Sequence, residues 1–304
     1  MVFSMRDFVG YAGRSLEFTW PGGKRLALSI VVNFEEGSEH SVVTDGLVES
    51  VGEFSPVDVR TQDVGNESVY EYGSRVGVWR ILSALREYGF KATFFATARA
   101  LELNKFAAEA IVKGGHEICD HGLIWTEHYR LSYEEEKQSM KRSVEVIESI
   151  TGKKPVGFYA REPSVSTIRI AQELGFLYDS DAYNDDLPYR YLGGGILILP
   201  YTPDVNDFHF QYPMNRFATA SQFYEYMKDT LDVLREEARS SPKMMSVGLH
   251  CRVIGRPGRI VALRRFLEYV KGFDDVWVAT REEIARYWID EVEKKVLTTP
   301  GSSA

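Results

Sequence analysis

Residues 26–37 read LALSIVVNFEEG. The first nine are almost all apolar and rich in β-branched side chains, with no alternation of polar and apolar positions. Such a run is a strand buried on both faces, as in a parallel sheet covered by helices. It delivers two adjacent carboxylates, Glu35 and Glu36, into a loop at Gly37. The same rhythm repeats outward from it. Residues 76–89, VGVWRILSALREYG, carry apolar side chains at helical spacing and stop on a glycine. KATFFATA (91–98) reads as a strand, LELNKFAAEAIVKGG (101–115) as a helix ending in glycines, and HEICDHG (116–122) as a strand. A long helix then starts at Ser132, where Ser132 and Glu135 form a capping box. VGFYA, IRIAQELGF, LYDSD, ILILP, FYEYMKDTLDVLREEAR, MMSVGLH, ALRRFLEYV and VWVAT continue the alternation, and Thr280 with Glu283 caps the last helix. About eight strand–helix units predict an α/β fold, a distorted (β/α)7-8 barrel of mainly parallel strands in a single domain, 1–304. A barrel is favoured over an open sheet because no glycine-rich phosphate loop follows any strand.

Three stretches stand outside the rhythm. Residues 1–24 form an N-terminal extension, and 297–304 a loose tail. Segment 37–74 shows no clear element. It carries Glu39, Asp45, Glu49, Glu53, Asp58, Asp63, Glu67 and Glu71 against Arg60 alone. It reads either as a solvated excursion, as a functional loop or as a subunit contact.

The chain has 304 residues, is 44% hydrophobic and 26% charged, and carries a formal charge of −8. That charge argues against a nucleic-acid surface. No apolar run approaches the roughly 20 residues of a membrane span. Two cysteines, Cys119 and Cys251, exclude a disulfide scaffold. With no apolar leader at the start, a cytoplasmic location is expected.

The reactive residues gather at strand C-termini, the face on which parallel barrels carry their chemistry. Glu35 and Glu36 follow the first strand, His121 ends the third, Arg161 follows the fourth, and Asp179 and Asp181 end the fifth. Asn184 and Asp185 come just beyond, and His250 ends the strand MMSVGLH. Alternation along a strand should point one of the two glutamates at the barrel mouth and the other away. By the same alternation Cys251 faces away from His250, and a Cys–His pair is geometrically poor. No G-x-S-x-G elbow and no H-E-x-x-H is present.

At these residues the chain resembles the polysaccharide-deacetylase (NodB-type) superfamily. The family's first motif, T-F-D-D-G, stands here as Asn33-Phe34-Glu35-Glu36-Gly37, and its H-[ST]-x-x-[HS] as His121-Gly122-Leu123-Ile124-Trp125. Arg161 matches the third motif's arginine and His250 the last motif's histidine. The resemblance implies a distorted barrel and, in its metal-dependent members, a zinc-assisted deacetylation. Here tryptophan stands at the second His ligand and two glutamates replace two aspartates; a catalytic zinc normally keeps three protein ligands. The stretches VNFEEGSEHS, YEYGSRVGVWR, GHEICDHGLIW, YDSDAYNDDLPY, PYTPDVNDF and GLHCRVIGRPGR resemble the cofactor-independent, PuuE-like allantoinase branch, which is itself similar to some cyclic imide hydrolases.

The expectation is a metal-independent hydrolase of a C–N bond in a small cyclic amide or ureide, with no cofactor. The Glu35/Glu36 pair or His121 would activate water, His250 would be the acid, and Arg161 would stabilise the carbonyl or oxyanion. Trp125 would wall the pocket. Asn184 and Asp185 would pair with a ureide edge, with Asp181 and Tyr159 beside them in the binding set. The alternative is a metal-dependent N-deacetylase of amino sugars or polysaccharide, with zinc on Glu36, His121 and a substitute such as His128. A silent sugar- or ureide-binding barrel is a third reading, opposed by the two histidines. A small-molecule substrate and a homo-oligomer are expected, a tetramer by resemblance, with FHFQYP and YEYG as candidate exposed aromatic segments.

Overall fold

The computed structural model describes residues 6–49, 58, 61–212, 214 and 216–297. In chain order the elements are β1 (Leu26–Phe34), α1 (Val64–Tyr72), α2 (Val78–Tyr88), β2 (Thr93–Ala96), α3 (Ala98–Leu103), α4 (Lys105–Lys113), β3 (Glu117–Asp120), α5 (Tyr133–Thr151), β4 (Gly157–Phe158), α6 (Thr167–Glu173), β5 (Tyr178–Asp179), β6 (Tyr189–Arg190), β7 (Leu197–Ile198), α7 (Ala220–Glu237), β8 (Lys243–His250), α8 (Ile260–Lys271), β9 (Val276–Val278) and α9 (Arg281–Tyr287). The sheet runs β6-β7-β5-β4-β3-β2-β1-β8, with β9 joining β1 at Leu26–Leu28. Only β6–β7 is antiparallel. At the far edge of β8, irregular backbone takes the place of a strand: Met244 N–H donates to the Asp186 carbonyl (2.8 Å) and Gly248 N–H to that of Val205 (2.8 Å). The result is the expected distorted α/β barrel of mainly parallel strands.

β1 shows why both faces had to be apolar. Leu26, Leu28, Ile30, Val32 and Phe34 pack outward, in one cluster with residues of α2, α4, α7 and α8. Ala27 and Val31 face inward, against Phe95, Cys119, Tyr178, Leu199 and Tyr201. Each large aliphatic or aromatic side chain so buried stabilises by roughly 1.5–3 kcal/mol. The barrel floor is polar. Arg281, fully buried, donates to Ser180 Oγ (3.0 Å), Ser246 Oγ (3.0 Å) and the Leu199 and Pro200 carbonyls. Gly248 sits on the inward face where a Cβ would overlap Asn206 and the Tyr201 hydroxyl, so the seam closes only over glycine.

Both expected capping boxes form, at Ser132/Glu135 and Thr280/Glu283. Three expectations are corrected. Segment 37–74 contains helix α1, started by Asp63 accepting from Asn66 N–H (2.9 Å). It continues through a π-turn, Gly73–Gly77, into α2; its glycines and sparse apolar positions hide it from periodicity. Residues 101–115 break at Asn104, which ends α3 and caps α4 by accepting from Ala107 N–H. The antiparallel β6 is too short to leave a pattern. The tail expected at 297–304 lies outside the described residues but for Leu297.

Candidate active site

The inward rows of β1, β3 and β8 each end on a reactive side chain. Odd positions of β1 face the barrel interior, and the row Val31, Asn33 continues to Glu35. Cys119 continues to His121, and Gly248 to His250. The three meet. His121 Nε2 lies 3.1 Å from Glu35 Oε1, and His250 Nε2 lies 3.9 Å from the same oxygen. The other nitrogens are anchored. His121 Nδ1 stands 2.7 Å from the Tyr159 carbonyl, with the Tyr159 ring stacked at 5.0 Å. His250 Nδ1 stands 2.7 Å from Asp207 Oδ1, while Asp207 Oδ2 accepts the His250 and Ile254 N–H groups (2.9 and 3.0 Å). Glu35 and His121 are 1% and 2% exposed, and His250 9%, so water reaches the cluster most readily at His250.

One cation completes it. Arg252 Nη1 donates to Glu35 Oε2 at 2.6 Å, and its guanidinium lies 4.4 Å from the Tyr70 ring and 5.2 Å from that of Trp125. Burial alone would raise the Glu35 carboxyl, but Arg252 and the hydrogen bond from His121 hold it well below the usual carboxylate range. Glu36 turns the other way. It accepts from Arg252 N–H (3.1 Å) and Glu35 N–H (3.1 Å), and burial, with the Glu35 charge adding, pushes it up to about 8 despite Arg252.

Of the expected site residues, the structure brings Glu35, His121, His250 and Tyr159 together, with Trp125 at one side. It takes the others elsewhere. Arg161 donates to Glu49 (2.6 Å) and the Trp125 carbonyl (3.2 Å), lies 3.7 Å from Glu127, and covers the Trp125 ring at 3.8 Å. It anchors the acidic segment. Asp181 sits on the outward side of its strand, accepting from Ala160 N–H (2.9 Å) beside Asp179. Asn184 accepts from the Tyr189 hydroxyl (3.0 Å) and Asp185 from Leu187 N–H (3.0 Å). Both border a cavity of about 870 Å³ between residues 183–186, 200–205 and α7, which Glu35, His121 and His250 do not line. The aromatic segments are only partly exposed: Tyr70 is 1% exposed beneath Arg252 and Phe210 is 3% exposed in the core, while Tyr212 is 46% exposed.

Sequence reasoning missed Asp207 and Arg252. Arg252 had a signal, since it stands two residues beyond His250 in the same inward parity. Asp207 lay inside the quoted stretch PYTPDVNDF, but no periodicity marked it, because it comes from a turn and reaches His250 across a loop.

These residues do not fit a zinc centre. The indole of Trp125 offers a metal no lone pair, and Glu36 points at a backbone N–H. His128 is buried against Glu136 (3.1 Å), so the set Glu36, His121 and His128 does not converge. Arg252 already places a fixed cation on Glu35. Among the described residues, no group of three His, Cys, Asp or Glu side chains is placed to hold a metal ion. No helix among them is long and apolar enough to cross a membrane.

The fold is an α/β barrel that gathers His and Glu side chains at its strand ends. Comparison with known proteins agrees. Residues 67–178 match the family model for polysaccharide deacetylases. A Schizosaccharomyces pombe protein carrying the polysaccharide deacetylase name is 35% identical over 94% of this chain and 98% of its own. A Pseudomonas aeruginosa PAO1 structure described as a probable polysaccharide deacetylase is 41% identical with a TM-score of 0.88, covering 94% of this chain and 98% of its own. The structure of a PuuE allantoinase is 40% identical, also at 0.88, covering 93% and 96%. The chain belongs to the polysaccharide deacetylase family, in the PuuE-like branch, and is a hydrolase of carbon–nitrogen bonds other than peptide bonds.

Proposed function

We propose that the protein opens a small cyclic amide or ureide, of the allantoin or cyclic-imide type, by metal-independent acid–base catalysis. The observation that carries this is the His250–Glu35–His121 cluster, balanced by the buried cation of Arg252 where a metal-dependent site would need a third ligand. The ring substrate is supported by the 40% identity to the PuuE allantoinase over nearly the whole of both chains.

The hydrogen bonds favour an order opposite to the one expected, in which His250 was the acid. Asp207 holds the proton on His250 Nδ1, which leaves Nε2 with its lone pair toward the open side of the site. His250 then takes a proton from water as the water oxygen bonds to the carbonyl carbon. His121 has acceptors at both ring nitrogens, the Tyr159 carbonyl and the ionised Glu35, an arrangement satisfied by a ring carrying both protons. As the C–N bond breaks, the Nε2 proton leaves its hydrogen bond to Glu35 and passes to the departing nitrogen, and Nε2 is left with a lone pair. Glu35 orients His121 and stabilises its charge. Tyr159, stacked on His121, fixes the ring plane.

The metal-dependent N-deacetylase reading is favoured by the name of the Schizosaccharomyces pombe relative and by a Helicobacter pylori peptidoglycan deacetylase, 30% identical over 54% of this chain. The two part on one experiment. Metal content is measured, and hydrolysis of allantoin, hydantoin, succinimide and N-acetylated amino sugars is assayed before and after exhaustive chelation. Turnover of a ring amide that survives chelation is expected. Activity on acetylated sugars alone, or activity lost to EDTA and restored by zinc, would sink the proposal.

A further inference from the structure

We propose that Arg252 binds the carbonyl oxygen of the scissile amide through the Nε–H of its guanidinium, and so carries the charge that develops there. This rests on the hydrolase reading of the site but not on a cyclic substrate, because a ring amide and an N-acetyl group share the carbonyl.

Arg252 is 5% exposed, and only part of its donor capacity is used within the protein. Nη1 is held by Glu35 Oε2 at 2.6 Å. Nε is buried and has no hydrogen-bond partner. Among the described residues it is the one guanidinium or ammonium nitrogen in that condition. A buried donor left unsatisfied costs about 1–3 kcal/mol, more when charged, so a position that keeps one on the arginine paired with Glu35, the carboxylate that the two histidines approach, is suited to receive an acceptor. Two other donors in this region are spent. Asn33 Nδ2 gives to the Tyr201 hydroxyl (3.1 Å) and the Leu249 carbonyl (3.0 Å). Arg161 is committed to Glu49 and Trp125.

The guanidinium is also preorganised. Glu35 fixes one end, the Tyr70 and Trp125 rings flank it, and its own N–H is held by Glu36. The loop that carries it is wedged on α2: a Cβ at Gly77 would overlap the Cys251 carbonyl, and one at Gly255 would overlap Gly77. A donor that need not reorganise is what stabilises an oxyanion well, and deleting one costs roughly 10²–10³ in kcat.

The test uses Arg252→Lys, which keeps the charge and can keep the ion pair with Glu35 but lacks the Nε–H, and Arg252→Ala. On whichever amide the wild type turns over, the Lys variant should lose at least about 100-fold in kcat with KM changed by less than about threefold. Millimolar guanidinium chloride should restore part of the activity of Arg252→Ala, a rescue that a merely structural role would not show. A second readout needs no turnover. In protein labelled with ¹⁵N-arginine, the Nε–H resonance missing from Arg252→Lys should move downfield on addition of acetamide, a small open-chain amide. Loss in the Lys variant on acetylated sugars alone would retain this proposal while removing the cyclic substrate. A Lys variant within about threefold of wild-type kcat, or an Nε–H resonance that acetamide leaves unmoved, would overturn it.

Discussion

Residues two apart along a strand share a face, and at the residue scale that rule selects the site. It aims Glu35, His121 and His250 at one point and sends Glu36 and Asp181 away. Substituting either histidine by alanine should lower kcat by at least about two orders of magnitude on the true substrate, with little change in melting temperature. If both were core residues, melting would fall while kcat stayed near normal. Circular dichroism melts beside kinetics separate the two. Asp207→Asn should cost a similar factor, because an amide at this position permits the wrong imidazole tautomer. A pH–rate profile should show that loss as a lower kcat with KM nearly unchanged. Glu35, His121 and His250 were legible because they end apolar strands. Arg161 had the right parity as well, but Glu49, from a segment without readable structure, draws it away.

At the element scale, the run Tyr70–Arg80 is a platform for the loop after β8. Tyr70 underlies Arg252, Gly73 admits the Glu36 carboxylate, and Gly77 touches the Cys251 carbonyl. Arg80 donates to the Tyr72 hydroxyl (2.8 Å) and the Gly255 carbonyl. Gly77 has an ordinary helical φ of −60°, so its need is space and not conformational freedom. Gly77→Ala should cost about 1–3 kcal/mol by overpacking and reduce kcat as well, since Arg252 rides on the displaced loop. Denaturant melts and kinetics on the same preparation check it, and unchanged kcat would detach the platform from the site. The motif was visible in the sequence, but its purpose was not, because the partner loop lies far along the chain.

For the whole molecule, burial leaves several carboxyls reluctant to ionise. Asp120 is pushed up to about 7 and Glu36 to about 8, and Asp179 is raised together with its neighbour Asp181, burial being the first cause of each. A raised carboxyl binds a proton in the folded chain before it does so in the unfolded one. Stability therefore rises as pH falls from about 9 to 6.5. Glu35, held low, is ionised in both states over this window and contributes no slope. His116, lowered to about 4 by burial and Lys91, opposes the trend only below its ordinary value. Asp179→Asn keeps the acceptor for Asp181 N–H and removes one titration. Its melting temperature should exceed the wild type's at pH 9 by a few degrees and converge with it at pH 6.5. Parallel melting curves across the range would count against this. A homo-oligomer is expected chiefly from the resemblance, because Tyr70 and Phe210 of the two aromatic segments are buried and Tyr212 alone among their described aromatic rings is strongly exposed; light scattering at micromolar concentration decides it.

The sequence by itself determined the α/β class, the parallel barrel and the face on which Glu35, His121 and His250 gather. A strand buried on both sides leaves its mark in consecutive residues, and a parallel strand must end where its neighbours end. It also determined that tryptophan stands where a metal-binding family needs a donor. Only the tertiary structure decided that Asp207 orients His250, that Arg252 and not Arg161 is the cation on Glu35, and that Asn184 and Asp185 border a separate cavity. Those are contacts between loops, and a loop has no period from which the direction of a side chain can be read.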